Sequence, residues 1–352
     1  MQRTLTLGNH VICDENSCFC IAEIGHNHQG SLEKAMEMFR VAKECGVNAV
    51  KLQKRDNKSL FVKTLYDSSY DNENSFGLTY GEHREALEFG EAEYRALKDY
   101  ARELGLLFFA TAFDMPSVDF LEKIDLPFYK AASGDLTNIP LLKHMARTGK
   151  PLLLSTGGGD FDDVRRAYDA IMPINSNLAI LQCTAAYPAD PRDMNLRVIT
   201  AFREAFPDVV IGLSDHQSGI AMALVAYALG ARIFEKHFTL NRAMRGTDHA
   251  FSLEPTGLRK LVRDLDRARE AMGDGIKRQI DIEKKPLYKM GKALVAARDL
   301  PAGRRIEPGD VAIKSPAAGL PPYELDTLLG RTLKAPLAAD APFSRDMLGE
   351  DR

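Results

Sequence analysis

The chain has 352 residues, of which 45% are hydrophobic, so it can bury a large core and has the length of one large domain plus a smaller one. Its net charge of −3 and its short apolar runs argue against a nucleic-acid partner, a membrane-surface partner and a transmembrane helix. The lack of a secretion signal pattern and the odd number of cysteines, five, predict buried thiols in a reducing, cytoplasmic compartment.

From residue 18 to about 272, short apolar segments alternate with longer amphipathic ones that often end in glycine. The short segments predict strands and the longer ones predict helices. Eight strands are predicted: CFCIAEI, NAVKLQ, LLFFAT, PFYKAAS, PLLLST, LAILQCT, VVIGLSD and RIFEKHF. Continuous apolar strands between helices indicate a parallel sheet covered by helices, and eight repeats have the size of an α/β-class (β/α)₈ TIM barrel. An open, doubly wound sheet is the competing fold.

One long interval interrupts this alternation. Residues 54–90 follow the second strand, have only a weak period and are rich in tyrosine and phenylalanine. Loops of this length are usually functional or disordered. We therefore expect an ordered cover over the active-site face.

The chain changes character near its end. Residues 273–286 are polar and predict a linker between a catalytic barrel, residues 1–272, and a small β-rich domain, residues 287–352. Within the small domain, LPAGRRI (300–306) and LAADAPF (337–343) share a pattern that predicts two related hairpin units folded together. Because so small a domain has a thin core, we expect it to pack against a barrel, its own or a partner's.

The predicted barrel strands end in polar residues, which is where the chemistry of such barrels lies. Lys51 and Gln53 are two residues apart on one strand, so their side chains share a face, and Lys130 and Ser133 end another. Two lysines with neighbouring hydroxyl groups form a site for a phosphate or a carboxylate. A Schiff-base lysine is the alternative chemistry and stays open.

Two histidines end neighbouring strands. His216 and His237 are therefore candidate metal ligands, with Glu235 on the same face as His237. Imidazole and oxygen ligands suit Mn²⁺, Fe²⁺, Co²⁺ or Zn²⁺ better than Mg²⁺. The alternative is that these histidines only form ordinary hydrogen bonds.

A second pair of histidines, His26 and His28, follows the first strand and is similar to the start of the metal site in amidohydrolase barrels. That site also needs histidines on the fifth and sixth strands, which PLLLST and LAILQCT lack. We therefore expect these two histidines in a polar loop at the rim, and Glu23 as the inward-pointing group.

Several motifs resemble one family over nearly the whole chain and in the right order. They are IAEIGHNHQGS, AVKLQ, FYKAASGD, LLSTGG, LQCTAAYPAD, IGLSDH, EKHFTL and RGTDHAFSLEP. The resemblance is to the sialic acid synthases, which join phosphoenolpyruvate to an N-acylhexosamine to form nonulosonic acids. The carboxyl-terminal segment resembles their antifreeze-like (SAF) domain. The stretch SFGLTYGEHREALEF is more similar to the animal branch, which acts on the 6-phosphate of N-acetylmannosamine, than to the bacterial branch.

This resemblance implies a role for each matching position. The phosphoenolpyruvate site would comprise Lys51, Thr111, Lys130, Ser133, Ser155 and Ser214. The sugar would meet Glu23, Gln53, Asp135, Tyr187 and Asp248, and the catalytic residues would be Glu23, Lys51, Gln53 and Lys130. His216 and His237 would hold a divalent metal, usually Mn²⁺, with Mg²⁺ or Co²⁺ as alternatives. Two departures concern substrate recognition: Ala185-Ala186 replaces a motif in which some members have asparagine, and Ser315 replaces the arginine of a bacterial K-R-P stretch.

The resemblance also implies a mechanism and an assembly. The metal would polarise the sugar aldehyde, C3 of phosphoenolpyruvate would attack it, and phosphate would leave through C–O cleavage. Glu23 would handle a proton, the alternative being a structural salt bridge to Lys51. A homodimer is expected in which the small domain caps the other chain's barrel. Alternative functions are a Schiff-base aldolase, a sibling synthase acting on another aldose, or a sugar-binding module.

Overall fold

The computed structural model describes residues 3–15 and 18–349. The chain divides into two compact units, Met1–Gly273 and Asp274–Arg352. The division falls at the start of the predicted linker, and part of that linker belongs to a short helix of the second unit. Among the described residues, no helix is both long and apolar enough to cross a membrane.

Eight parallel strands of the first unit close into a barrel in chain order, so the predicted TIM barrel is confirmed and the open sheet is excluded. Each predicted strand segment contains or overlaps an observed one. The strands are β3 (Phe19–Gly25), β4 (Ala49–Lys54), β5 (Leu107–Ala112), β6 (Tyr129–Ala131), β7 (Leu152–Ser155), β8 (Leu178–Cys183), β9 (Val210–Asp215) and β10 (Ile233–His237).

A hairpin that the sequence did not predict lies at the amino end of the barrel. It pairs β1 (Thr4–Leu7) with β2 (His10–Cys13) in antiparallel register. Its side chains Leu5, Leu7 and Ile12 are buried against inward-facing residues at the amino ends of the barrel strands. The hairpin therefore extends the interior core of the barrel at this end.

Helices between the strands bury their apolar faces in a larger core outside the barrel wall. Several begin at a side-chain cap, such as Ser31 or Asp114, which accepts a hydrogen bond from the first helical turn. The helices are α1 (Leu32–Glu44), α5 (Glu91–Glu103), α6 (Met115–Ile124), α7 (Ile139–Arg147), α8 (Phe161–Ile171), α9 (Val198–Ala205), α10 (Ala221–Ala228) and α11 (Pro255–Met272).

The segment after β4 is ordered, as expected. It forms three short helices, α2 (Asn57–Leu60), α3 (Lys63–Tyr66) and α4 (Tyr80–Glu85). Thr79 and Glu82 form a capping box at the start of α4. Residues from this segment line the cavity described below, so it covers part of the carboxyl end of the barrel.

The second unit is small and contains little regular structure: α12 (Lys284–Met290), β11 (Ala293–Ala296), β12 (Val311–Lys314) and α13 (Leu325–Leu328). Its two repeat-like stretches meet at Leu300 and Leu337. Each of these residues donates its backbone N–H to the carbonyl of the other, at 2.8 and 2.9 Å. Both side chains lie in one apolar core with Phe343. The two stretches thus pair through their backbones, and their relation as repeated hairpin units stays a prediction.

Candidate active site

A cavity of about 400 Å³ opens at the carboxyl ends of the barrel strands. Most of the predicted site residues line it: Lys51, Gln53, Thr111, Lys130, Ser133, Ser155, Tyr187, Ser214, His216, His237 and Asp248. Side chains far apart in the sequence are brought together here because consecutive parallel strands end at the same rim.

Four buried charged side chains form a network in the barrel. Lys51 Nζ lies 3.2 Å from Glu23 Oε2 and 3.2 Å from Glu235 Oε1. Lys130 Nζ contacts the same Glu235 oxygen, and it donates to Ser214 Oγ at 3.2 Å. The pairing offsets the cost of burying two ammonium groups.

The network holds its members in different protonation states. Burial, partly opposed by Lys51, raises the pKa of Glu23 to about 7. Burial would also raise the pKa of Glu235, but Lys130 and Lys51 outweigh it and lower that pKa to about 2. Burial lowers the pKa of Lys130, with Lys51 adding to the effect. Near neutral pH the site therefore has an ionised Glu235 and a Glu23 that readily gains or loses a proton.

Hydroxyl groups surround the two ammonium groups. Lys51 Nζ donates to Thr111 Oγ1 at 2.7 Å, and Ser133 Oγ accepts from the Gly157 N–H at 3.0 Å. The buried Ser155 hydroxyl has no hydrogen-bond partner among the described residues. An unpaired hydroxyl in a cavity lined by lysines is suited to an oxygen-rich anion.

The two strand-end histidines lie side by side, with ring centroids 5.4 Å apart. Burial lowers the pKa of both to about 3, so both rings are neutral. His216 Nδ1 lies 2.8 Å from the Thr184 carbonyl; as the donor it leaves the lone pair on Nε2. His237 Nδ1 is buried without a hydrogen-bond partner. Neutral rings with free nitrogen atoms are what a divalent metal requires.

This pair of histidines is the candidate metal site. Within residues 3–15 and 18–349, no group of three histidine, cysteine, aspartate or glutamate side chains is arranged to hold a metal. Any ion held by His216 and His237 would thus keep open positions for water or substrate, as catalytic metal sites do.

On the side of the predicted sugar site, the Tyr187 ring packs on His216 with centroids 4.1 Å apart. Asp248 Oδ2 lies 3.7 Å from His237 Nδ1, and Asp248 Oδ1 accepts from the Thr247 hydroxyl. Gln53 Nε2 donates to Glu23 Oε1 at 2.6 Å. A ligand at this side would therefore meet both amide and carboxylate groups.

Two predicted site residues do not line the cavity. Glu23 is 1% exposed and lies behind Lys51 and Gln53. Asp135 accepts from Asn138 Nδ2 at 3.0 Å in a short 3₁₀ turn after β6. The two histidines after the first strand also separate: His26 lines the cavity, whereas His28 is buried and stacks on Phe89. The expectation of a polar rim loop is therefore wrong for His28.

Some roles and some residues emerged only from the structure. Glu235 is the common partner of both lysines, a role that its place two residues before His237 could have indicated. Arg55 lines the cavity because it continues the inward face of Lys51 and Gln53 beyond the end of β4. Arg84 reaches the same cavity from α4, and no strand-end pattern could have found it.

Comparison with known proteins agrees with this architecture. Residues 38–277 match the model of the NeuB family, and residues 291–349 match the SAF domain. The chain belongs to the NeuB family. This NeuB-family chain is 38% identical over 335 residues to human N-acetylneuraminate-9-phosphate synthase, covering 95% of the chain and 93% of the relative.

Bacterial members of the NeuB family are also similar. N,N'-diacetyllegionaminic acid synthase of Legionella pneumophila is 35% identical over 329 residues, covering 92% of each chain. The crystal structure of an N-acetylneuraminic acid synthetase from Leptospira borgpetersenii superposes with a TM-score of 0.71 at 33% identity, covering 81% of this chain and 95% of that one. The predicted family is therefore confirmed, including the SAF domain.

Proposed function

We propose that this protein is a nonulosonic (sialic) acid synthase. It condenses phosphoenolpyruvate with N-acetylmannosamine or its 6-phosphate and releases phosphate through C–O cleavage. The observation that carries the proposal is the cavity itself, in which two buried lysines and an unpaired serine hydroxyl lie in the same space as two neutral histidines. The family and the names of the relatives support the same reaction.

Lys51 and Lys130 would bind the phosphate and carboxylate of phosphoenolpyruvate. With Glu23 protonated, the network of two lysines and Glu235 carries a net positive charge, which favours a multiply charged anion. The hydroxyls of Thr111, Ser155 and Ser214 add donors, as do the loop amides after β7. Fixing the enol in this way removes much of the entropic cost of joining two substrates.

The bonds change in a defined order. C3 of phosphoenolpyruvate bonds to the aldehyde carbon of the open-chain sugar, whose oxygen takes up a proton. Water adds to C2 and loses a proton, and the C2–O bond to phosphate then breaks to give the keto acid and inorganic phosphate. Glu23 would exchange these protons through Lys51, which faces the cavity, because a pKa of about 7 permits both gain and loss.

His216 and His237 would hold a divalent metal, and we propose Mn²⁺, with Mg²⁺ or Co²⁺ as alternatives. When bound, such an ion supplies a Lewis acid that polarises the sugar carbonyl. The Thr184 carbonyl fixes the orientation of the His216 ring, and Tyr187 packs on its face. Asp248 and Gln53 are the proposed partners of the sugar hydroxyl and amide groups.

A Schiff-base aldolase is the second candidate, and the lowered pKa of Lys130 favours it. Against it stands the contact of Lys130 with Glu235, which stabilises the ammonium form. Borohydride reduction in the presence of a carbonyl substrate separates the two. Covalent labelling of Lys130 would support the aldolase, and unlabelled protein is expected. A sibling synthase acting on another aldose is distinguished by its sugar preference.

The principal experiment measures phosphate released from phosphoenolpyruvate with Mn²⁺ and each of the two sugars. Phosphoenolpyruvate labelled with ¹⁸O at the bridging oxygen is used, because only C–O cleavage leaves the label in the phosphate. His237→Ala should lose metal binding and activity while remaining folded. His144→Ala is the matched control, since His144 is a partly exposed residue of α7 paired with Asp119. Full turnover by His237→Ala would contradict the assigned metal role.

We also propose a homodimer in which the small unit caps the barrel of the other chain. Exposed apolar side chains in the small unit support this, among them Tyr323 at 84% and Ile313 at 51% exposed. A solution mass corresponding to one chain would contradict it. All five cysteines are free and buried, which supports a reducing, cytoplasmic location.

A further inference from the structure

A second cationic cluster lines the same cavity, and the mechanism above does not use it. It consists of the guanidinium groups of Arg55 and Arg84 and of the His26 ring, which contacts both of them. Arg55 Nη1 lies 3.3 Å from His26 Nε2, and Arg84 Nη1 lies 3.4 Å from His26 Nδ1. We call these three residues the arginine cluster.

Carboxylates near the arginine cluster offset its charge only in part. In the described part of the chain, neither guanidinium forms an ion pair with a carboxylate. The nearby Glu88 carboxylate is paired with Lys54 at 3.0 Å and lies 3.5 Å from His26 Nε2, and Asp248, which lines the same cavity, accepts from Thr247. Arg55 is only 8% exposed, and burial together with Arg84 lowers its pKa to about 10. Burial and Arg84 thus disfavour the Arg55 charge more than Glu88 and Asp248 favour it, and a bound anion would offset this.

Hydrogen-bond donors also exceed acceptors in the arginine cluster. Burial, with both arginines adding to it, lowers the pKa of His26 far below its usual range, so the ring is neutral and has one acceptor nitrogen. Only one of the two guanidinium contacts with the ring is therefore a hydrogen bond. The other N–H group faces a ring N–H and gains no acceptor from the ring. A phosphate group supplies three acceptor oxygens at such a place.

The surroundings hold both guanidinium groups in position. Arg55 donates to Gln53 Oε1 at 2.7 Å and stacks on the Phe113 ring at 3.7 Å. Arg84 donates to the Tyr80 hydroxyl through Nε and Nη2, at 3.1 and 2.9 Å. Two arginines oriented by neighbours toward one cavity are preorganised to bind a planar or tetrahedral oxyanion.

We infer that Arg55 and Arg84 form a subsite for a phosphate monoester at the end of the sugar remote from the reacting carbon. This inference rests on the proposed function and makes the sugar substrate an N-acylhexosamine phosphate. Lys51, Gln53 and Arg55 follow one another at every second position. Because a strand rises about 3.3 Å per residue, the Cα atoms of Lys51 and Arg55 are about 13 Å apart. A ligand anchored near Lys51 and Lys130 therefore leaves the arginine cluster free for a second phosphate.

The variant Arg84→Met tests the subsite through selectivity. We measure kcat/KM for N-acetylmannosamine 6-phosphate and for N-acetylmannosamine, together with the KM for phosphoenolpyruvate. Removal of one charge-assisted contact should lower kcat/KM for the phosphorylated sugar by about 10- to 100-fold and so reduce its ratio to the free sugar. Arg84→Lys should restore part of the ratio. Arg95→Met is the matched control, because Arg95 is an exposed residue of α5 paired with Glu91.

Calorimetric binding of the sugar phosphate to each variant makes the test independent of turnover. If Arg84→Met binds it as tightly as the unaltered protein does, the inference is overturned. If Arg84→Met instead raises only the KM for phosphoenolpyruvate, the arginine cluster holds that phosphate, and the inference is again overturned. If neither sugar releases phosphate but sugar-phosphate binding weakens in Arg84→Met, the proposed reaction fails while the subsite stands.

Discussion

The two ends of the barrel are built by the same strands but differ in chemistry. On β5, Phe109 belongs to the interior apolar core at the amino end, and Thr111, two residues later, lines the cavity. On β10, Ile233 belongs to that core and Glu235 contacts both buried lysines. Residues i and i+2 of a strand point to the same face. On the inward face of these strands, a distance of two residues therefore separates a residue of the stabilising core from a residue of the reactive site. Substitutions at the two ends should therefore have separable effects.

The largest effect on stability is expected from Phe109→Ala at the amino end. Phe109 is fully buried, with its ring centroid 4.2 Å from that of Phe128. Its loss should lower the free energy of unfolding by about 3–5 kcal/mol, because the cavity left behind cannot fully close. Urea unfolding measures this. The kcat/KM of the folded fraction should be unchanged, and a large loss there would break the separation between the two ends.

The opposite pattern is expected from Lys130→Met at the carboxyl end. It should lower kcat/KM for phosphoenolpyruvate by about 10²- to 10³-fold, since a buried charge aimed at the anion is lost. Glu235 keeps Lys51 as a partner, so unfolding by urea should change much less than in Phe109→Ala. If activity survives, Lys130 does not bind the substrate.

A pH profile sharpens the comparison by testing Glu23. Its raised pKa, about 7, means that Glu23 becomes negatively charged as the pH rises through neutrality. The net positive charge next to Lys51 then falls, so the KM for phosphoenolpyruvate should increase several-fold between about pH 6 and 8. Glu23→Gln should remove this inflection and keep only the pH dependence of phosphoenolpyruvate itself. An identical profile in the variant would contradict the assignment.

The smallest effect is expected from Asp14→Asn, beyond the end of the amino-terminal hairpin. Arg203 donates to both oxygens of Asp14, at 2.7 and 2.8 Å, and these hydrogen bonds lower its pKa. The ion pair is partly exposed, so its loss should cost about 1 kcal/mol or less. Because the folded pKa is depressed, this contribution is present above about pH 4 and is lost as the pH falls below it. Urea unfolding at pH 7 and pH 3 should show a larger difference at pH 7 than at pH 3, with unchanged activity.

Much of this architecture was predictable from the sequence, for a physical reason. Buried parallel strands are apolar on both faces, so they stand out as short continuous runs, and polar residues at their ends, such as Lys51, mark the functional rim. The hairpin of β1 and β2 was missed because strands of four residues give a weak pattern. The pattern shared by the stretches that hold Leu300 and Leu337 predicted that they fold together, but not that these two residues pair.

The sequence did not predict which of the site residues reach the cavity and which lie behind other side chains. Glu23 lies near the end of its strand as expected, yet the register between β3 and β4 shifts between Glu23 and Gly25, and the carboxylate lies behind Lys51. Asp135 has the right place in its motif but turns to Asn138. Which side chain reaches the cavity depends on local backbone irregularities and on neighbours from other elements, and one sequence does not contain that information.

The amino-terminal hairpin also has an electrostatic consequence. With Leu5, Leu7 and Ile12 packed into the base of the barrel, the material beneath the buried charges is of low polarisability. The electric field of Lys51 and Lys130 is then poorly screened on the amino side of the barrel. It extends mainly through the cavity opening at the carboxyl end, where it attracts anions from solution. A purely hydrophobic element that touches no substrate would in this way raise the rate of substrate capture, most strongly at low ionic strength.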